Sequence, residues 1–414
     1  MTTYPLSAVR TLALYSQGLV SPNAADRNPN LEAIQEMVER IKYVQIDTLN
    51  LIQRSQYIAL WSRLGSYHPV DFDRLIYSQE ERQLFEGVHS VAAIIPLKDF
   101  RYQMPQSDHG REVLSRWYTR WLEDGGNREM VEMVYQRIQQ EGALRASDFE
   151  YHGPKRGSWW DWKPAKVALE YLFVKGDLMA ANRVNFQRVY DLTERVLPGW
   201  VDANPPTLEE RDRYWVEQGL MALGICLPNQ IAEYAFHMRR ACPKALGAEL
   251  LKKGILVPAL ALLADGEAHE LVVHRNQLEA LQKVAEGEIQ AQRTTFLSFF
   301  DSLFWCRGRD VQLWGYRNLL EAYIPAEKRK YGYFCLSILH KEKLVGRFDP
   351  KLERKTGVLR IKALFLEQGV EPDEELVSGV ATSMRDFMQF HHARELVIEN
   401  SHPEEFREKL LKAL

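Results

Sequence analysis

Apolar residues recur every three to four positions in the first part of the chain, which predicts helices over residues 8–17, 31–42 and 54–64. In the second of these the apolar face is Leu31, Ile34, Val38 and Ile41. The period then changes. Tyr43 and Val44 start an extended segment that runs into Gln45-Ile46-Asp47. Alternate side chains of a strand share a face, so Gln45 and Asp47 are expected to project together while Ile46 packs behind them.

Further on, the pattern of helices followed by a short strand pair returns. Asn127 is expected to cap a helix that runs through Gln140, and another helix is expected over residues 163–175 with Pro164 in its first turn, where a missing N–H costs nothing. Gly176-Asp177 ends it, and residues 178–183 and 186–190 are expected to pair. After Asn204-Pro205-Pro206, Thr207 and Glu210 have capping-box spacing. A hairpin over residues 260–263 and 270–273, turning at Asp265-Gly266, closes that stretch. Helices followed by a hairpin are the winged helix-turn-helix plan, here three times. Beyond residue 299, β-rich runs at 331–339, 344–349 and 358–365 predict a small barrel or curled sheet, with a helix over 375–396. The expected class is therefore α+β: winged-helix units over residues 1–105, 106–203 and 204–292, then a barrel-like domain over 293–414.

Composition sets bounds on this picture. A chain of 414 residues, 46% of them hydrophobic, can bury ample core in several domains. The net charge of −3 gives no global basic signature, so nucleic-acid affinity would have to come from charge gathered on one face. Cys226, Cys242, Cys306 and Cys335 are scattered without a CxxC pair, which predicts neither a zinc module nor a disulfide framework. The first residues lack the charge and apolar run of a signal peptide, and no stretch is long and apolar enough for a membrane span; a soluble, intracellular, cytoplasmic protein is expected.

Two places carry candidate chemistry. An amide and a carboxylate side by side, Gln45 and Asp47, can hold one water and remove its proton without metal or cofactor. The plainer alternative is that Asp47 caps the next helix and Gln45 is a solvated strand residue. The second place is residues 341–362, with Lys341, Lys343, Arg347, Lys351, Arg354, Lys355, Arg360 and Lys362 against Glu342, Asp349 and Glu353. Such a hairpin can meet DNA phosphates, or its charge can simply keep it solvated. The same two readings hold for Arg183 and Arg188. Trp159-Trp160-Asp161-Trp162 can stack bases or anchor a helix.

Gln45-Ile46-Asp47, with Thr48 and Asn50 after it, resembles the QxD motif of the AlkZ/YcaQ-like winged-helix DNA glycosylases, bacterial enzymes for alkylpurines and interstrand crosslinks. The likeness extends in family order through Arg54-Ser55, Leu60-Trp61-Ser62-Arg63-Leu64-Gly65, Ser158-Trp159-Trp160-Asp161-Trp162-Lys163-Pro164, Asn185 to Leu192, Lys328-Arg329, Tyr331-Gly332-Tyr333-Phe334 and Leu344-Val345-Gly346-Arg347. There are departures. Ser298-Phe299-Phe300-Asp301-Ser302 stands for Ser-Pro-Phe-Asp-Pro, and Trp305-Cys306-Arg307 for Trp-Asp-Arg. Near His89 an aromatic pair is absent and the histidine is displaced.

The resemblance implies hydrolysis of the N-glycosidic bond of N7-alkylated purines in double-stranded DNA, crosslinked guanines included. An aspartate-centred hydrolysis needs no lysine Schiff base, so a monofunctional enzyme is expected, and a monomer, since nothing in the sequence suggests an obligate dimer. Gln45 and Asp47 would be catalytic. Arg54, Arg183, Arg188, Arg347, Lys351, Arg354 and Lys355 would contact DNA. A non-catalytic winged-helix regulator shares the fold-level features, and a structural adaptor in a repair complex is a third reading. Gln45 and Asp47 separate these readings, because a regulator needs neither.

Overall fold

The computed structural model describes residues 3–21, 29–88, 91–103, 116–149, 164–234 and 243–414. His89, Cys242 and Trp159-Trp160-Asp161-Trp162 lie outside the described residues. The chain packs into two compact units, Met1–Pro69 with Asp212–Leu414, and Val70–Arg211. The first unit is discontinuous because contacts of residues 1–69 are made with the far half of the chain, which local pattern does not register.

In the first unit the early helices form close to where the apolar period places them, at Leu6–Ser16, Leu31–Ile41 and Ser55–Leu64. Asn30 caps the second by accepting from Ala33 N at 2.9 Å, and Lys42, at a φ of 69°, ends it. Val9, Leu12 and Leu14 of the first helix enter a core with Ile225, Leu271, Val273, Leu281, Leu297 and Leu339. The hairpin Leu256–Leu262 and Ala268–His274 turns at Gly266 (φ 83°) and carries Thr3–Tyr4 as a parallel edge. The capping box on the helix Leu208–Leu223 is closed from both sides: Thr207 N donates to Glu210 Oε2 at 2.7 Å, and Glu210 N to Thr207 Oγ1 at 3.2 Å.

The C-terminal strands make one sheet, in the order Thr294–Leu297, Leu336–His340, Lys343–Glu353, Val358–Leu366 and Glu395–Ile398, with Ser401–His402 also on the fourth. Its first and last strands are not paired with each other among the described residues, so the described strand path is an open sheet. Gly346 allows the two longest strands to approach: a Cβ there would lie 2.3 Å from the Phe365 carbonyl oxygen. The helix expected over 375–396 is shorter, Glu374–Phe390. His392 adopts a φ of 54° and turns the chain, after which Glu395–Ile398 pairs parallel with residues 358–361. Phe387 of this helix, Phe296 and Phe348 of the sheet and Trp61 of Ser55–Leu64 form an aromatic cluster, with centroids 4.8 Å apart for Trp61–Phe387 and Phe296–Phe348. That cluster ties the helix following the Gln45–Asp47 segment to the sheet.

In the second unit, helices Asn127–Glu141 and Pro164–Lys175 cover a hairpin, Leu178–Val184 with Gln187–Leu192. Val134, Ile138, Leu169, Leu172 and Tyr190 meet in its core. Pro164 opens its helix as expected. Asn127 is not a cap: Gly126 holds that position at a φ of 83°, and the Asn127 amide donates to Trp121 O at 2.7 Å. A further antiparallel pair, Leu84–Val88 and Ala92–Pro96, belongs to the same unit.

Candidate functional site

The Gln45–Asp47 segment leaves a rigid base. Tyr43, 1% exposed, stacks on Trp305 with ring centroids 5.5 Å apart and packs on Trp215 at 5.4 Å. The Tyr234 hydroxyl donates to Ile41 O at 2.6 Å. The strand itself is only Val44–Gln45. Asp47 is therefore not a strand residue alternating with Gln45; it opens the loop of residues 46–53. Its amide donates to Gln56 Oε1 at 3.3 Å rather than to a neighbouring strand. Its carboxylate accepts from Leu49 N at 2.9 Å, the local turn that aspartate side chains favour. Arg54, not Asp47, occupies the cap position of Ser55–Leu64.

The Asp47 carboxylate is 9% exposed. Burial raises its pKa from 3.8 to about 6, against the opposing pull of the Leu49 and Thr48 amides and of the Arg54 guanidinium. Gln45 is half-buried, and its side-chain amide makes no hydrogen bond among the described residues. A carboxylate held this way is ionised at neutral pH yet basic enough to take a proton, and an unengaged amide beside it in sequence offers one acceptor and two donors to a water. Among the described residues no group of three or more His, Cys, Asp or Glu is arranged to hold a metal ion, and no helix is long and apolar enough to cross a membrane.

The basic hairpin Lys343–Glu353 and Val358–Leu366, turning through residues 354–357, belongs to the same unit. Its charges have different fates. Arg347 is 3% exposed, donates to Glu367 Oε1 at 2.7 Å and to Arg317 O at 3.0 Å, and lies over the rings of Tyr316 and Tyr331, each 4.1 Å away. Arg360 pairs with Glu353 at 2.9 Å and Glu399 at 3.1 Å, and Lys341 with Glu375 at 2.6 Å. Lys343, Lys351, Lys355 and Lys362 are exposed, with no ion pair or hydrogen bond among the described residues. Arg354 is exposed too, but bonds to the 46–53 loop: Nη2 lies 2.7 Å from Asn50 Oδ1 and 2.9 Å from Ile52 O.

In the second unit, Arg183 and Arg188 converge on Glu86, which is 2% exposed. Each donates to Glu86 Oε2 at 2.7 Å, and Tyr77 adds its hydroxyl at 2.6 Å. Arg188 also reaches Glu170 at 3.0 Å. Burial alone would raise the Glu86 pKa, but Arg188 and Arg183 bring it down to about 2. The charge of both arginines is therefore engaged inside the unit.

Thus the structure brings Asp47, Arg54 and Arg354 around one loop, while Arg347, Arg183 and Arg188 are internal ion-pair partners. Two groups that local sequence does not flag help to hold this loop and the helix after it. Gln56 binds the Asp47 amide from that helix. Arg63, on the same helix, forms a fully buried double contact with Asp301, at 2.7 and 2.8 Å, and also donates to Gln17 O at 2.8 Å. Asp301, which keeps the aspartate of its stretch, and Cys306, which stands where the family pattern has an aspartate, are both interior: Asp301 is 0% and Cys306 1% exposed, the thiol facing Gln230 O at 3.5 Å.

Comparison with known proteins matches residues 38–390 to a family model described as DNA glycosylase AlkZ-like. Among solved structures, the fold is similar to that of a Streptomyces sahachiroi protein, DNA glycosylase AlkZ. The TM-score is 0.63 at 12% identity, over 96% of this chain and 100% of that one. At such identity the likeness concerns the fold alone.

Proposed function

The chain belongs to the AlkZ-like DNA glycosylase family, and from that premise we propose that it hydrolyses the N-glycosidic bond of N7-alkylated purines, interstrand-crosslinked guanines included, leaving an abasic site. Alkylation at N7 makes the base cationic, so it departs as a neutral molecule and needs little help from an acid. What remains is to stabilise a cationic sugar and bring water to C1′. Asp47 serves both needs, by its charge and as the base that takes the water's proton. Gln45 orients that water. No lysine Schiff base enters, so the enzyme is monofunctional, and neither metal nor cofactor is required.

The observation that carries this reading is the Asp47 carboxylate, buried and raised to about 6, two residues beyond a Gln45 amide with no hydrogen-bond partner among the described residues. Exposed Lys351 and Lys355 at the hairpin end are suited to duplex phosphates. Arg347, Arg183 and Arg188 contribute by fixing the elements around them, their charge being spent on Glu367, Glu86 and Glu170. The winged-helix description of the helix–hairpin stretches, and a monomeric state, belong to the same proposal.

The test is a duplex oligonucleotide with one N7-methylguanine, incubated with the protein and treated with hot alkali. Strand breakage at the modified base is expected. If no N7-alkylated or crosslinked duplex yields abasic sites, the reading fails and a DNA-binding regulator takes its place.

A further inference from the structure

The loop of residues 46–53 has no regular secondary structure after Gln45, and its own hydrogen bonds are few: Leu49 N to Asp47, and Asp47 N to Gln56. What fixes its far side comes from about 300 residues along the chain. Leu352 N donates to Leu51 O at 3.0 Å. The two N–H groups of Arg354 Nη2 are shared among Asn50 O at 3.1 Å, Asn50 Oδ1 at 2.7 Å and Ile52 O at 2.9 Å. Three consecutive loop carbonyls are thus satisfied by two residues of the hairpin. An arginine serving only as a phosphate contact would have no reason to spend one nitrogen on this set.

We infer that Arg354 is a positioning residue, which locks the loop bearing Asp47 onto the basic hairpin so that the carboxylate meets the sugar in one fixed place. The inference rests on the glycosylase reading for its chemical meaning, but not for its geometry. All three contacts come from Nη2, which lies one bond farther along the side chain than a lysine nitrogen, so a lysine ammonium falls short of these oxygens unless loop or hairpin moves, whereas a flexible lysine largely reproduces a phosphate contact. Positional error of the order of 1 Å at a reacting group costs up to about 100-fold in rate, so loosening this loop acts on the chemical step.

The clamp also keeps water from Asp47. The charged groups on the elements against the loop are Arg54 on its own side, and Lys351, Glu353, Arg354 and Lys355 on the hairpin. Of these, Arg54 is the charge that lowers the Asp47 pKa in the intact fold; an effect of Arg354 through lost positive charge could only raise that pKa. Loosening the loop lets water in and lowers it, because burial is the main cause of its elevation. The two effects move the pH profile in opposite directions.

The experiment compares the parent protein with Arg354→Met and Arg354→Lys, by single-turnover excision of N7-methylguanine at saturating protein and by amide hydrogen exchange. Both variants are expected to excise about 10-fold or more slowly at saturation. The acid limb of the Met variant's pH profile should move to lower pH, and the Leu49 and Leu352 amides should exchange at least about 10-fold faster. Asn50→Ala should add little to Arg354→Met, since the one contact its side chain makes with Arg354 is already among the three lost in the Met variant. If the Lys variant excises at the parent rate, or the limb of the Met variant moves to higher pH, Arg354 acts through charge and the inference is overturned. Unchanged exchange overturns it also. If the parent excises nothing while the variants exchange faster, the glycosylase reading fails and the clamp stands as a structural fact.

Discussion

Replacing Asp47 with Asn should stabilise the protein at alkaline pH, although it removes the residue assigned to the chemistry. The Asp47 pKa lies above its ordinary value, so the folded state holds the proton more tightly than the unfolded chain. The associated stability is complete below about pH 4 and is lost as pH rises through about 6. Moving a carboxyl from 3.8 to about 6 corresponds to about 3 kcal/mol as an upper bound. Residual solvent access and screening reduce this to about 1–2 kcal/mol. Asn keeps the shape and can still accept the Leu49 amide at Oδ, so only the buried charge disappears. Urea unfolding of parent and variant at about pH 8 and about pH 3.5 measures the difference. The variant should be more stable by about 1–2 kcal/mol at the higher pH and equal within about 0.5 kcal/mol at the lower. Equal stability at both, or a less stable variant at alkaline pH, refutes the claim that burial governs this carboxylate.

Glu86→Gln leaves Arg183 and Arg188 without their shared counter-charge, and should destabilise the second unit by about 3–5 kcal/mol at neutral pH. Because the Glu86 pKa is depressed, its contribution is complete above about 4.5 and fades as pH falls through about 2, so denaturation of the variant and the parent should converge in acid. Lys351→Ala with Lys355→Ala should weaken binding to unrelated duplexes about equally and reduce the slope of log affinity against log salt by roughly one per lost phosphate contact. An unchanged slope, read by fluorescence anisotropy across a salt series, would assign these lysines to solvation alone.

What the sequence reveals here is what depends on neighbours within a turn or two. The Thr207–Glu210 capping box, Pro164 at its helix start and the hairpin turning at Gly266 all follow from local backbone chemistry. Gln45 and Asp47 stand out because an amide and a carboxylate two residues apart carry a recognisable chemistry. That Asp47 lies on a loop beyond a two-residue strand is set by Gln56, nine positions later, which no period reveals. Charge shows the same limit. Arg347, Arg354 and Lys355 look alike in a basic run. Yet Arg347 is closed between two tyrosines, Arg354 binds a loop about 300 residues away, and Lys355 faces solvent. Arg183 and Arg188 likewise depend on Glu86, roughly a hundred residues earlier, whose burial no local pattern signals. The division into two units escapes for the same reason, as it depends on contacts between chain ends.

The central claim is that Asp47 performs the hydrolysis, and single-turnover excision of N7-methylguanine from duplex DNA by parent and Asp47→Asn tests it most directly, with circular dichroism and duplex affinity as controls. Asn removes the charge and the base and keeps the size. Excision should slow by about two orders of magnitude or more while folding and affinity are retained, and Asp47→Glu should keep more activity than Asp47→Asn if the charge dominates. Excision by Asp47→Asn at the parent rate would contradict the account.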